Sequence, residues 1–451
     1  PRNEVENELE RISSMTNPKR EYAYRLPELS AAVEDMDSIR EAPAPIKYPL
    51  GKYIRKTLKG YIDYALIDEV HLLKGRDSLQ GQAFSDLVSC AKHSLCFTGT
   101  LLNGYASSIF YILYRAFPGL MKKEGFDFGG TGEMEFVKQY GVYKSESNYE
   151  FSNGHQGNRH GNSKFKQLPG VSPIVFTKFL LENVAFISLE DMAESLPGYT
   201  EIPIGVDMDD ELMEAYMHLE TAIHDSFSSH DRTSRGSIKT LSQMIQSLSI
   251  YPDQPYDQPP IVDPDTGNIV VAPEELSHDY RNKEMTLLNI VQEKVDNGEK
   301  VLVYYSWPNR TELGEKLPRL FAENDIKAVT LKASVKSSER EAWIKKQVEE
   351  ENIDVLVVNP SLVDTGLDLL DFTTIVFYQV GYNLFTMRQA SRRSWRLSQT
   401  KDVEVYYMYY KRTVQEQALS LMATKLQAAM AIEGKFSEEG LNAMSNNEDV
   451  L

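Results

Sequence analysis

The sequence is poor in cysteine: Cys90 and Cys96 are the only two in 451 residues. Two thiols cannot build a disulfide framework, nor a zinc site by themselves, and they point to a reducing compartment. Both lie in apolar context and are expected to be buried and inert. No apolar run reaches about 18 residues, which excludes a membrane-spanning helix. The first residues, Pro1-Arg-Asn-Glu-Val-Glu, carry charge where a leader would have an apolar core. They also lack an initiator Met, so the chain is expected to be processed or a piece of something longer. Positive charge is short as well. Against 66 Asp and Glu stand 48 Lys and Arg, a net charge of −18. Bulk electrostatic coating of nucleic acid is thereby excluded, and a local basic groove would have to rest on specific residues. Solenoid-type repeats are absent.

A length of 451 residues, 41% hydrophobic and 25% charged, describes two or three globular domains. Residues 1–46 are polar and charged, ending in Ala42-Pro43-Ala44-Pro45. Residues 47–60 are locally basic (Lys47, Lys52, Arg55, Lys56, Lys59) and are expected to form a solvated helix that could touch phosphates. Helical spacing appears over 79–91 and Ser107 to Phe117, with a short strand at Ser94–Phe97. The Ser-, Asn- and Gly-rich stretch 144–171 reads as a long exposed loop, and its His155 and His160 as solvated. Residues 174–196 look helical, Tyr199 to Val206 a strand, and 209–249 a long helical region. The Pro- and Asp-rich 251–275 reads as a linker or surface excursion.

From residue 283 the pattern is regular. Helices at 283–297, 309–323, 337–350, 385–395 and 413–432 alternate with apolar strands at 301–305, 328–331, 354–358, 374–378 and 403–410. Such alternation predicts a parallel sheet covered on both faces. The domains expected are therefore 47–205, a connector at 206–282, and 283–432, followed by an acidic tail at 433–451.

Four short stretches carry candidate chemistry. The strand Tyr64-Ala-Leu-Ile ends in Asp68-Glu69-Val70-His71. About thirty residues later another strand ends in Thr98-Gly99-Thr100. Asp364-Thr365-Gly366-Leu367-Asp368 comes after a strand of the second domain, and Gln389 to Gln399 is expected on a helix there. Taken alone, Asp68 and Glu69 could be a solvated loop, His71 a core histidine, and the arginines a solvated face. Together they suit phosphoryl transfer, which needs a metal, an oriented water and positive charge on the transferring oxygens. Asp68 can hold Mg²⁺ and Glu69 can take a proton. Arg393 and Arg396, three apart on a helix, share a face and can contact phosphate oxygens bidentately. Trp307, Trp343 and Trp395 read as packing residues. Of Tyr406 to Tyr410 at least half should face the core.

The ordered set Asp-Glu-Val-His, Thr-Gly-Thr, Thr-Gly-Leu-Asp-Leu and Gln-Ala-Ser-Arg-Arg-Ser-Trp-Arg-Leu-Ser-Gln resembles motifs II, III, V and VI of superfamily 2 helicases. The subtype resembled is the Swi/Snf-type DNA translocases and remodelling ATPases, over about 47 to 432. The resemblance implies two RecA-like parallel-sheet lobes, the first incomplete at its N-terminus. It implies ATP and Mg²⁺ in the cleft, duplex DNA as partner, and a DNA-associated location, taken as cytoplasmic. By the same resemblance Asp68 would bind the metal and Glu69 would be the base. His71, Thr98, Gly99, Thr100 and Thr365 would couple the site to motion and DNA. Asp364, Gly366 and Asp368 would lie by the nucleotide, with Gln389 near the γ-phosphate and Arg393 and Arg396 as arginine fingers. Three positions depart from the pattern: Ser398 for Gly, Trp395 for His and Leu101 for Pro. The larger departure is that no G-x-x-x-x-G-K-[ST] loop occurs. The phosphate cradle is expected from an upstream half-lobe, in the same full-length chain or a partner, and this chain alone is expected to be inactive. The alternatives are a DNA- or partner-binding module without turnover, and an unrelated α/β nucleotide-binding enzyme.

Overall fold

The computed structural model describes residues 48–146, 164–187, 189–192, 196–229, 235–363 and 367–432. The chain divides into two compact units, residues 1–65 with 82–93, and 66–81 with 94–451. In the first unit helix α1 (Leu50–Thr57) lies with its Gly51 against Ala83, where an added Cβ would come within 3.1 Å of the Ala83 Cα. Arg55 Nη1 pairs with Asp86 at 3.0 Å, while Lys52 and Lys56 stay in solvent. Strand β1 (Ile62–Ile67), helix α2 (Leu79–Cys90) and strand β2 (Ala91–Cys96) cross from one unit to the other, and β1 and β2 form a two-stranded sheet. Cys90 is buried as expected; Cys96, at the end of β2, is exposed.

In the second unit helices α3 (Ser107–Ala116), α4 (Pro118–Lys123) and α5 (Gly130–Tyr140) build an aromatic core with Phe110, Phe126, Phe136 and Tyr140. Strands β3 (Gly141–Glu146) and β4 (Lys164–Val171) pair antiparallel. The two ends of the expected loop 144–171 are therefore ladder; His155 and His160 lie outside the described residues. The expected helix over 174–196 reduces to a π-turn at Phe176–Leu180 and a single turn, α6 (Leu189–Met192).

The large sheet contains β5 (Tyr199–Val206), β8 (Lys300–Tyr304), β9 (Ala328–Leu331), β10 (Val355–Val358), β11 (Phe372–Phe377) and β12 (Val403–Tyr410), in the order β5-β12-β11-β8-β10-β9, all parallel. Side chains alternate between its faces. Val301, Val303, Val355 and Val357 enter one core; Leu302, Tyr304, Leu356 and Val358 enter the other. Helices α7 (Asp210–Ser229), α8 (Arg235–Ile250), α9 (Asn282–Asp296) and α10 (Leu313–Ala322) cover the first face. Helices α11 (Arg340–Glu349), α12 (Leu384–Ser391) and α13 (Val414–Ile432) cover the second. Each such buried aliphatic side chain contributes about 1.5–3 kcal/mol, which is why the strands read as unbroken apolar runs. The fold is the expected α/β class, with a doubly covered parallel sheet of RecA-like type.

Two boundaries move. Strand β5, expected with 47–205, pairs through all eight of its residues with β12 and forms the edge of the second sheet. The Pro- and Asp-rich segment is not a loose linker. Tyr251 to Tyr256 are all buried, and the segment continues into a small hairpin, β6 (Ile261–Val262) with β7 (Ile269–Val271). Its Asp253 takes Lys283 Nζ at 2.9 Å, Gln379 Nε2 at 2.8 Å and Gln415 Nε2 at 2.9 Å. A carboxylate with three such donors holds the segment inside the fold despite its composition.

Candidate functional site

The tip of β1 is tied to the strand beside it. Phe97 N–H donates to Ile67 O at 2.8 Å, and Val70 N–H donates to Phe97 O at 3.0 Å. Between these anchors the chain turns at Glu69, which has φ 48° and ψ 45° and caps a 3-10 turn at Val70–Leu73. A non-glycine residue in the left-handed region costs about 1–3 kcal/mol and occurs where the surroundings impose it, often at functional sites. Asp68 Oδ1 accepts the Glu69 N–H at 2.8 Å and helps to fix the turn. Asp68 is exposed and Glu69 half-buried.

His71 is 2% exposed. Its Nδ1 lies 2.8 Å from Thr98 Oγ1 and 3.2 Å from Glu69 Oε2. Thr98 Oγ1 donates to Thr100 O at 3.0 Å and accepts the Thr100 N–H at 3.2 Å. With its one proton committed, that hydroxyl accepts from His71, which assigns the ring proton to Nδ1. Burial, then the Lys74 charge, push the His71 pKa down from its ordinary value, with Asp68 opposing; the ring is neutral at pH 7. Thr98 and Thr100 are thus joined to the acidic turn through His71. Gly99 has open space where a Cβ would stand.

Helix α12, distant in sequence, reaches the same turn. Asn383 caps its start by accepting the Phe385 N–H at 3.0 Å. Phe385 stacks on His71, centroids 4.5 Å apart and 20° between planes. One turn on, Gln389 Nε2 donates to Glu69 Oε1 at 3.3 Å. Two residues of this contact are not among the sequence candidates: Phe385, and Lys74, whose ammonium lies 4.6 Å from the Phe385 centroid. The i, i+4 spacing of Phe385 to Gln389 is the signal that could have found the first. Arg115 is a further addition. Its guanidinium donates to Leu73 O at 3.0 Å and to Gly75 O and Arg76 O at 2.8 Å, fixing the loop after the turn.

The expectation of one helix over 385–395 fails. Helix α12 ends at Ser391, with Arg392 as its C-cap, so Arg393 and Arg396 do not share a helix face. The chain leaves the helix because Leu369 and Leu370 bind the residues beyond it. Ser394 Oγ donates to Leu369 O at 2.9 Å and Gln399 Nε2 to Leu370 O at 2.9 Å. Arg393 is 7% exposed, and its carbonyl accepts the Leu369 N–H at 3.4 Å. Arg396 Nη1 pairs with Asp368 Oδ1 at 2.5 Å. Trp395 packs against Tyr199 and donates to Pro197 O at 2.9 Å. Asp364, Thr365 and Gly366 lie outside the described residues.

Among the described residues no cluster of three or more His, Cys, Asp or Glu could cage a metal ion. Magnesium does not require one, since one or two carboxylates with phosphate oxygens and waters suffice. The exposed Asp68 beside Glu69 fits that donor set.

Residues 282–398 match the family profile described as helicase conserved C-terminal domain. Over 400 residues the chain is 22% identical to the ATP-dependent DNA helicase DDM1 of Arabidopsis thaliana, covering 86% of this chain and 48% of that protein. It is 22% identical over 406 residues to the DNA repair and recombination protein RAD54 of Saccharomyces cerevisiae, covering 86% and 42%. It is 26% identical over 157 residues to the ATP-dependent helicase FUN30 of the same yeast, covering 35% and 13%. The chain is Snf2-like, a relative of the superfamily 2 helicase-type ATPases. It spans less than half the length of these three relatives. The helicase C-terminal match begins where α9 begins and ends just after Arg396, so it takes in β8 to α12 and the Snf2-like arginine segment.

Proposed function

We propose that the intact protein is a Swi/Snf-type ATPase that hydrolyses ATP between two lobes and moves along duplex DNA. The observation that carries this is the hydrogen bond from Gln389 to Glu69, which joins residues of two motifs 320 positions apart. Glu69 would take the proton of the attacking water. Gln389 holds its Oε1 and so helps to orient it, with the His71 ring 3.2 Å from Oε2. Asp68 would hold Mg²⁺, which when bound neutralises charge on the phosphate oxygens. Arg393 and Arg396 would serve as fingers once Arg396 leaves Asp368, and Asp364, Gly366 and Asp368 would line the nucleotide. Thr98, Gly99, Thr100 and Thr365 would pass the state of the site to DNA. Duplex DNA as the track, and a DNA-associated location, rest on the DNA-related names of the relatives.

Glu69→Gln tests the reading in the full-length protein. DNA-stimulated ATP turnover should be lost while ATP still binds; persistent turnover would sink the assignment of the base.

One observation favours a second reading: these 451 residues contain no G-x-x-x-x-G-K-[ST] loop. On that reading the protein is a catalytically incomplete module that binds DNA or a partner without turnover. Assay of the full-length protein with ATP and duplex DNA separates the two, since the second expects no turnover.

A further inference from the structure

Helix α12 sends most of its apolar side chains into the fold. Leu384, Met387 and Ala390 all belong to the core on the second face of the large sheet. Phe385 does not. It is 7% exposed, yet among the described residues it joins none of the three hydrophobic cores. Its ring is covered by polar partners instead. The His71 imidazole stacks on it, centroids 4.5 Å apart and 20° between planes, and the Lys74 ammonium lies 4.6 Å from its centroid. Lys74 is the C-cap of the 3-10 turn that contains His71. Residues three apart in such a turn eclipse one another, so both side chains meet the same ring. A buried aromatic ordinarily adds to a core; this one is committed to the acidic turn.

The stack falls on a ring with a directional task. His71 Nδ1 has two acceptors within reach, Thr98 Oγ1 at 2.8 Å and Glu69 Oε2 at 3.2 Å. One proton serving two acceptors makes the direction of the imidazole decisive. The torsion that turns a histidine ring is broad and roughly two-fold, so the hydrogen bonds leave its plane loosely set. A near-parallel ring at 4.5 Å sets it, because turning the imidazole at that separation would drive its edge into Phe385. Phe385 is itself fixed at the start of its helix, where its N–H donates to Asn383 Oδ1 at 3.0 Å.

We infer that Phe385 is a positioning residue of the proposed ATPase site: its ring fixes the plane of His71, and through it the aim of the Nδ1 proton at Thr98 and Glu69. Phe385 acts through His71 and not on the substrate. The inference rests on the reading of Glu69 as the base. It divides the work of α12 between two residues one turn apart. Gln389 holds Glu69 Oε1, and Phe385 holds the ring beside Oε2. The role requires a flat ring, and apolar bulk alone does not fill it.

Two substitutions separate plane from bulk. Phe385→Leu keeps an apolar side chain and removes the plane; Phe385→Tyr keeps the plane. In the full-length protein with ATP and duplex DNA, Phe385→Leu is expected to lower kcat about 10- to 100-fold, the scale of a misplaced catalytic group, with the KM for ATP little changed. Phe385→Tyr is expected to recover most of that loss. A second readout needs no turnover. A face-stacked ring moves the carbon-bound protons of the His71 imidazole to higher field in NMR. That shift, assigned by its loss in His71→Phe, is expected in the wild type and in Phe385→Tyr and not in Phe385→Leu. Wild-type kcat in Phe385→Leu overturns the role. So do equal kcat defects in the two variants, a defect confined to KM, or His71 protons without the shift in the wild type, a measurement that stands even where a variant does not fold. If Glu69→Gln keeps its ATPase, the base reading falls and the positioning role with it. If Glu69→Gln is inactive and Phe385→Leu fully active, only the positioning role falls.

Discussion

Gln389 Nε2 meets Glu69 Oε1 at 3.3 Å, closing 320 positions of sequence onto one carboxylate. The same helix places Phe385 on His71 one turn earlier, so α12 touches the acidic turn at two points. Gln389→Ala removes the polar point and leaves the stacked one. A hydrogen bond to a charged group contributes about 1.5–3 kcal/mol, and the 3.3 Å length puts this one at the lower end. ATP turnover in the full-length protein is expected to fall about tenfold, with nucleotide binding little changed. Gln389→Glu should be worse, because it sets a second carboxylate against Glu69. Measurement of turnover and nucleotide affinity for both variants checks the order.

The parallel sheet is legible in the sequence because its strands are buried on both faces. Val355 to Val358 cannot alternate in polarity when both neighbouring layers are apolar. The acidic turn is legible from residue types at the end of a strand. The segment around Asp253 is not, because proline and aspartate usually mark solvent, and its burial depends on Lys283, Gln379 and Gln415 from three distant elements. The end of α12 at Ser391 is hidden for a similar reason. Helical spacing runs on through Arg396, but the carbonyls of Leu369 and Leu370 outcompete the helix for Ser394 and Gln399.

The neutral state of His71 has a consequence for pH. Its pKa is lowered in the fold, so the unfolded chain binds the proton first as pH falls. The contribution of His71 to stability is present above the ordinary value of about 6.5 and is lost as pH drops from there toward the folded value. Among the eight histidines, the His71 ring signal should titrate below that ordinary value in an NMR pH series, and His71→Phe should flatten the acid-side loss of stability. A His71 midpoint at or above the ordinary value would overturn the assignment.

Arg396 and Asp368 are 38% and 54% exposed, so their ion pair contributes at most about 1 kcal/mol to stability. Arg396→Ala should leave urea unfolding nearly unchanged. If Arg396 serves as a finger, the same variant lowers ATP turnover about 10³-fold or more with little loss of DNA binding. A small turnover defect together with weakened DNA affinity would instead place Arg396 on the nucleic acid.

Lys283 and Asp253 are both wholly buried, and burial pushes the Lys283 pKa down in spite of the neighbouring carboxylate. Lys283 Nζ also donates to Gln415 Oε1 at 3.0 Å and lies 4.7 Å from the Tyr378 ring centroid. Lys283→Met would keep the stem and leave Asp253 with two amide donors and no cation. Breaking a buried pair from one side costs about 3–5 kcal/mol, so the urea midpoint should fall sharply. Asp253→Asn in the Lys283→Met background removes the stranded charge and should recover part of that loss. Replacing both partners is expected to cost less than the first substitution alone, because the larger penalty belongs to the unpaired carboxylate. If the double variant is as unstable as Lys283→Met, the segment is held by Tyr251 and Tyr256 packing and not by its charge.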